Sequence, residues 1–372
     1  MRVAIVVPGG VDRSGSGRVI PALLALVERL ARRHDVHVVA LRQEGAPGRW
    51  PLLGATVHNL GLPARGLPGT ALLRFGPRLT VLLADAGPFD VVHAVWANEP
   101  ALLAAAAARW RRLPLTIHLA GGELAALPEI GYGGWLHARE RWKTRFALRS
   151  AARVTAGSVF LQRLAASRGI QADVIPLGVD PSLFAPGSRR GGPARRLLHV
   201  ASLNAVKDQP TLLRALRRVA DAEPHVHLDA AGEDTLGGAV QAEAERLGLS
   251  EHVTFHGLLR QEELRPLYRD ADLFVLSSRH EAQSVAFLEA ASAGLPTVGT
   301  AVGLVADLAP EAAVSVPVGD DAALAAALLA LLRDDGRRRR IGDAARAWAL
   351  ANDADATASA FEKVYAGVAG AR

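Results

Sequence analysis

Residues 273–299 read L-F-V-L-S-S-R-H-E-A-Q-S-V-A-F-L-E-A-A-S-A-G-L-P-T-V-G. The apolar run that opens this stretch is a buried strand by composition, and it ends at Ser277. A polar loop carrying Glu281 follows. A helix is expected to start near Gln283 or Ser284, which puts Glu289 in its second turn. Gly294 and Pro296 end it, with Gly just past the helix and Pro beyond. Residues 296–299 then read as the next strand. Strand, loop, helix, strand is the unit of a parallel sheet covered on both faces.

The alternation continues outward from this segment. Towards the N-terminus, residues 197–201, 226–231 and 253–256 are strand-like, with helical stretches at 210–222 and 239–247. Towards the C-terminus, residues 322–332, 337–351 and 355–366 read as closing helices. Residues 186–196, P-G-S-R-R-G-G-P-A-R-R, break the pattern with linker chemistry. A second set of elements precedes that break. Its strands are 3–7, 36–41, 91–95, 115–118 and 153–156, and its helices include 99–110 and 19–33, the latter with Leu23, Leu26, Val27 and Leu30 on one stripe. Two α/β domains are therefore expected, 1–186 and 187–350, with a C-terminal helix in 351–372 packing back toward the first. Open parallel sheets bind ligands beyond the carboxyl ends of their strands, so functional residues belong in the loops just after strands. A cleft between two such domains is the expected place for them.

Composition narrows the classes. Half of the 372 residues are apolar and 22% are charged, an ordinary globular balance. The absence of cysteine excludes disulfide scaffolds, thiolate metal sites and thiol nucleophiles, and fits a cytoplasmic protein. The longest apolar runs, 101–108 and 322–332, fall short of the about 18 residues that a membrane span needs. Residues 3–7 end at Pro8 and are too short for a signal-peptide core. The formal charge is +6, split as +10 over residues 1–185 and −4 over 186–372. A basic half suits a polyanion or an anionic membrane surface, although 40 Arg against 3 Lys also reflects compositional bias.

The segment at 273–299 carries a specific chemistry. A helix N-terminus after the Glu281 loop is an anion site, because its free N–H groups and dipole favour phosphate. A carboxylate farther along the helix can accept two hydrogen bonds from a ribose diol, and one in the loop can accept from sugar hydroxyls. Diphosphate, ribose and sugar together describe a nucleotide sugar.

Glu281 and Glu289 stand eight apart. In this setting of L-F-V-L-S-S, H-E and L-E-A-A-S-A-G-L-P-T-V, the sequence resembles retaining glycosyltransferases of the GT-B fold, family 4. The resemblance implies two Rossmann-like domains facing across a cleft. It also implies retaining, metal-independent transfer of a sugar from a nucleoside-diphosphate sugar to an acceptor (a saccharide, a lipid or a small metabolite). No cofactor is implied beyond that co-substrate, and no nucleic acid. V-I-P-L-G-V-D-P-S-L-F-A-P (174–186) resembles the segment entering the hinge, with Leu177 where the family usually has Asn. V-A-S-L-N-A-V-K-D-Q (200–209) resembles the first strand and loop of the donor domain, where the family places an Arg and a Lys on the diphosphate. Lys207 matches the Lys, while the Arg position falls on Ser202, leaving a neutral hydrogen bond there. F-H-G-L-L (255–259) resembles the base-reading loop and places Leu258 at the nucleotide.

The resemblance thus assigns Glu289 to the ribose, Glu281 to the donor sugar, and Lys207 with the N–H groups of Gln283, Ser284 and Val285 to the leaving diphosphate. Ala282-Gln283 departs from the commoner Gly-Phe. In the first domain, the glycine-rich loop 9–17 is expected near the diphosphate through Gly15 and Gly17. T-I-H-L-A-G-G-E (116–123) implies a catalytic His118 beside the reacting sugar. Residues 135–149, W-L-H-A-R-E-R-W-K-T-R-F-A-L-R, combine five basic residues with three aromatics and read either as a peripheral contact with an anionic membrane at its inner face or as an ordinary packed helix. The D-x-D triplets at Asp270–Asp272 and Asp353–Asp355 precede a strand or fall in a helix, so no catalytic metal is expected.

Other activities share this architecture. A dinucleotide oxidoreductase lacks support, because Gly15-Ser16-Gly17-Arg18-Val19-Ile20 has no third Gly and Arg42 ends the second strand. A noncatalytic sugar-binding module needs neither both carboxylates nor a second domain. A phosphorylase or nucleotide-sugar epimerase of the same fold stays open.

Overall fold

The computed structural model describes residues 1–63, 71–187 and 195–370, with 71–74 described by their backbone alone. It divides into two units: Met1–Gly178 with Ala354–Arg372, and Val179–Asp353. The linker stretch at 188–194 lies outside the described residues. The division comes earlier than the composition break at 186. Val179 and Phe184 are buried in the core of the second unit, with the Phe184 ring edge-on to Tyr268 at 5.4 Å.

The first unit runs β1 (Arg2–Val7), α1 (Pro21–Ala31), β2 (Asp35–Ala40), β3 (Gly48–Leu52), β4 (Ala55–Asn59), α2 (Ala71–Asp85), β5 (Val91–Val95), α3 (Glu99–Arg111), β6 (Leu115–Leu119), α4 (Ala138–Arg149), β7 (Arg153–Ala156), α5 (Val159–Ala166) and β8 (Asp173–Val174). Its sheet has the order β3-β4-β2-β1-β5-β6-β7-β8. Every pairing is parallel except the β3–β4 hairpin at one edge. Leu23, Leu26, Val27 and Leu30 of α1 are fully buried, as their stripe spacing requires.

The second unit runs β9 (Arg196–Val200), α6 (Gln209–Ala222), β10 (His227–Ala231), α7 (Ala239–Arg246), β11 (Val253–Gly257), α8 (Gln261–Asp270), β12 (Leu273–Leu276), α9 (Val285–Ser292), β13 (Thr297–Thr300), α10 (Gly303–Leu308), β14 (Val314–Val316), α11 (Asp321–Arg333) and α12 (Asp335–Ala351). Its six strands are parallel in the order β11-β10-β9-β12-β13-β14. The order reverses between β9 and β12, and loops leaving a sheet at such a point part from each other and open a crevice. The last helix, α13 (Ala354–Ala369), belongs to the first unit. Phe361 and Tyr365 of α13 are fully buried there, against His93 of β5.

Both D-x-D triplets have structural uses. Asp272 accepts the backbone N–H groups of Arg195 and Arg196 at 2.8 and 2.9 Å, and Asp355 pairs with Arg29 at 3.5 Å. Among the described residues no helix is long and apolar enough to cross a membrane.

Candidate functional site

In the second unit the loops after β9 and β12 meet at the switch point. They are laced together: Arg279 N–H donates to the Val206 carbonyl at 2.8 Å, and Ser277 Oγ to the Lys207 carbonyl at 2.7 Å. The lacing carries Lys207 Nζ to 2.6 Å from Glu281 Oε1, across 74 residues of sequence. Ser278 Oγ donates to the same carboxylate oxygen at 2.6 Å. Glu281 is buried at 8% exposure, while the Lys207 side chain keeps 23%. A buried carboxylate needs such a partner, because an unpaired one would neutralise instead.

Two cations thus stand in this neighbourhood. Arg279 pairs with the buried Asp208 at 3.1 Å, so the Asp208 charge does not fall to Lys207. Asp208 holds a left-handed conformation (φ 49°) ahead of α6 and accepts from Thr211 Oγ1 at 2.9 Å. Ser202 lies half-buried just after β9, where its carbonyl accepts from the Gln209 amide at 3.1 Å. The same amide donates to His199 Nε2 at 3.2 Å, and His199 Nδ1 donates to the Val275 carbonyl at 2.9 Å. Burial holds the His199 imidazole down at about 4, so it is a neutral support of the loop.

Helix α9 starts where the sequence places it. Ser284 is its N-cap and accepts from Phe287 N–H at 3.3 Å. Ser284 has φ 80°, a strained value for a residue with a side chain. Gly303 makes room for this turn: a Cβ there would lie 2.8 Å from Glu281 Cβ and 3.0 Å from the Gln283 carbonyl. The first N–H groups of α9, beginning with Val285, have no intrahelical acceptor and form its positive end. Gln283 is itself buried. At the other end Gly294 is left-handed (φ 71°), the expected stop.

Glu289 points from α9 toward α8. Tyr268 Oη donates to Glu289 Oε2 at 2.8 Å, and Gln261 contributes a further hydrogen bond. Burial outweighs both bonds and raises the Glu289 carboxyl to about 7. Leu258, just past β11, is 73% exposed, an unusual position for a leucine, and the preceding Gly257 is left-handed (φ 68°).

The first unit departs from expectation at two places. His118 was expected beside the reacting sugar. It is fully buried instead, with Nδ1 on Thr155 Oγ1 at 2.8 Å and its ring edge-on to Phe361 at 5.6 Å. Burial pushes it down to about 3, so it is neutral. Its strand β6 is covered on both faces, which is why the position closes. The carboxylate of Glu123 turns inward too, accepting N–H groups of Ala97, Ala120 and Gly121 at 3.1, 3.3 and 2.8 Å.

The glycine-rich loop is the second departure. The amides of Gly10, Val11, Ser14, Gly15, Ser16 and Gly17 already have acceptors within the protein. Gly10 and Val11 donate to Gln43 Oε1 at 2.7 and 2.9 Å. Ser14 donates to Asp12 Oδ1 at 3.0 Å, Gly15 to the Asp12 carbonyl at 3.0 Å, and Gly17 to Ser14 Oγ at 3.0 Å. The backbone and hydroxyl bonds from Ser14 hold the Asp12 carboxyl below its ordinary value, and Asp12 also takes the Arg18 guanidinium at 3.0 Å. Reasoning from sequence missed Arg279, Tyr268, Gln261 and Gly303. Only Arg279 carried a signal, as a cation in the same post-strand loop as Glu281.

The chain has clear relatives. The family described as Glycosyl transferases group 1 matches residues 194–334, and the Glycosyl transferase 4-like domain matches residues 19–178. A glycogen synthase of Mycobacterium tuberculosis is 32% identical over 321 residues, covering 80% of this chain and 73% of that one. A D-inositol 3-phosphate glycosyltransferase of Segniliparus rotundus is 33% identical over 143 residues, a stretch of 35% of this chain and only 32% of that relative's length. Among solved structures, the sucrose-phosphate synthase of Thermosynechococcus elongatus superposes with a TM-score of 0.83 at 19% identity, over 100% of each chain. Anabaena HepE, solved with UDP and glucose, superposes with a TM-score of 0.76 at 18% identity, over 98% of this chain and 99% of that one. These structures share the two-domain parallel-sheet fold. With a family match on each half and one relative aligned along most of both chains, this chain belongs to the group 1 glycosyl transferases.

Proposed function

We propose that this protein is a retaining glycosyltransferase that moves a sugar from a nucleoside-diphosphate sugar to an acceptor. The observation that carries the reading is the Lys207–Glu281 pair at the carboxyl ends of β9 and β12, beside the N-terminus of α9 and the buried carboxylate of Glu289. A cation, a helix dipole and two carboxylates at one switch point suit a diphosphate flanked by two polyols. In this reading Lys207 and the N–H groups around Gln283, Ser284 and Val285 take up the charge that develops on the departing diphosphate. The Lys207 ammonium then exchanges part of its bond to Glu281 for a phosphate oxygen. Glu281, released on one side, accepts from the hydroxyls of the donor sugar. Glu289 accepts from the ribose diol in its ionised form. Leu258 offers an apolar surface to the base, and Ser202 a neutral donor where the family pattern has Arg. No role falls to His118.

The first test is thermal stabilisation by UDP, GDP, ADP, their sugar conjugates and NAD(H). A ligand that binds only the native state raises Tm. UDP leads the panel because the structural relative HepE was solved with it. A shift by one nucleoside diphosphate is expected, and a shift by NAD(H) alone would overturn the reading.

A contact with an anionic membrane is a second element of the proposal, supported by α4. Trp142 and Phe146 stack at 5.7 Å on its exposed face, at 60% and 37% exposure, flanked by the exposed Arg139 and Arg145. Trp142→Ala with Phe146→Ala should abolish sedimentation with phosphatidylglycerol vesicles and leave Tm unchanged. Equal sedimentation would remove the membrane from the proposal.

A further inference from the structure

A cavity of about 360 Å³ in the first unit is lined by four arginines: Arg145 and Arg149 from the last turns of α4, Arg153 at the start of β7, and Arg168 after α5. It sits at the amino ends of β7 and β8. The glycine-rich loop and the Ala97 and Ala120 loops of the same unit leave the carboxyl ends of β1, β5 and β6. The cavity is therefore separate from the end of this sheet where a substrate is expected. One carboxylate, Asp173, also lines it.

Arg2, Arg13, Arg18, Arg29, Arg32, Arg33 and Arg42 of the same unit each form an ion pair. Among the described residues Arg145, Arg149, Arg153 and Arg168 form none. Arginines without an ion pair among the described residues, Arg49, Arg78, Arg109 and Arg163 among them, occur elsewhere in this unit, so what marks this cluster is that four line one cavity and that Arg168 Nε is buried there with no hydrogen-bond partner. Two of the four are also held in place. The guanidinium groups of Arg145 and Arg168 stand 5.1 and 5.3 Å from the ring of Trp135, which is itself buried. Stacking on one indole restricts both side chains before any ligand arrives. The C-termini of α4 and α5 bring partial negative charge of about half an electron each, well short of four cations. Net positive charge around one cavity favours an anion there.

We propose that this cavity is a binding site for a phosphate-bearing ligand, held by the forks of Arg149 and Arg153 against the Trp135-braced Arg145 and Arg168. Planar guanidinium forks match phosphate oxygens in pairs, and the volume admits more than one phosphate group. The phosphate comes either from a lipid headgroup or from a soluble phosphorylated compound. The proposal does not rest on the donor-site reading.

The test compares wild type with the Arg149→Gln/Arg153→Gln variant, since both side chains are exposed and unpaired. Inorganic pyrophosphate is titrated by calorimetry, and flotation is measured on phosphatidylglycerol against phosphatidylcholine vesicles. The variant is expected to lose about tenfold or more in affinity for one of the two probes. Loss of pyrophosphate binding assigns a soluble ligand, and loss of phosphatidylglycerol binding alone assigns a headgroup. A Lys207→Ala control should keep this binding, which separates the cavity from the diphosphate site. The unliganded variant should also melt at or above the wild-type Tm, because it carries less positive charge around the cavity. The proposal is overturned if wild type and variant bind both probes equally, if wild type binds neither, or if the unliganded variant melts well below wild type.

Discussion

The two units repeat one architecture, yet the loops after their first strands are used in opposite ways. After β1 the loop is tied down by acceptors of its own and by Gln43 from the loop after β2. Asp12, Ser14 and Gln43 consume its amides, and Arg18 answers the Asp12 charge. After β9 the loop reaches outward, is tied to the loop after β12, and presents an ammonium to a carboxylate 2.6 Å away. The glycine count favours the first loop as a phosphate cradle, but the charge arrangement favours the second. Glycine permits close approach of a ligand only where its N–H groups remain unspent.

The sharpest way to break this contrast is to remove the carboxylate of the outward site. Glu281→Gln should lower kcat roughly a hundredfold or more, as loss of a group aimed at the reacting centre does. A kcat within a few-fold of wild type would place the chemistry elsewhere. Lys207→Ala comes next. It should cost about tenfold or more in affinity for a nucleoside diphosphate, the range of a charged hydrogen bond, and much less for the bare nucleoside. An equal loss for both would remove Lys207 from the diphosphate.

A third effect is graded by pH. With the Glu289 carboxyl at about 7, donor affinity should fall as pH drops below that value, because the protonated acid accepts less from a ribose diol. Tyr268→Phe deletes a bond to the carboxylate and should move that midpoint upward. A flat profile in both proteins would detach Glu289 from the ribose. The same group acts on stability with a defined sign. Its folded value lies above the ordinary 4.5, so the folded state binds more protons, and stability is lost as pH rises from about 4.5 to 7. Glu289→Gln should therefore gain Tm over wild type across that window, read by calorimetry at several pH values.

The smallest catalytic effect belongs to the inward-turned residues of the first unit. His118→Ala should destabilise by about 2 kcal/mol, as a cavity beneath Phe361 would, with kcat changed only slightly once the protein is folded. A large kcat loss at unchanged Tm would return His118 to the active site and reverse the comparison.

Several of these features were legible from local pattern. The run from Leu273 to the following Pro and strand matched β12, α9 and β13 within a residue or two, because caps, stop signals and apolar runs are short-range codes. The β3–β4 hairpin was missed, since Trp50-Pro51-Leu52-Leu53-Gly54 carries Pro in a strand, a feature tolerated only at an edge. The Glu281–Glu289 spacing was legible because both lie on one loop and one helix. The partner of each was not. Lys207 reaches Glu281 because β9 lies beside β12, and Tyr268 reaches Glu289 because α8 packs on α9.

By itself, then, the sequence determined the alternation of elements, the cap and stop of α9, and the identity of the charged groups. The tertiary structure alone decided which charges meet, which amides are spent and which histidine is buried. Periodicity and capping act within a few residues along the chain, whereas strand order and burial are set by how whole elements pack.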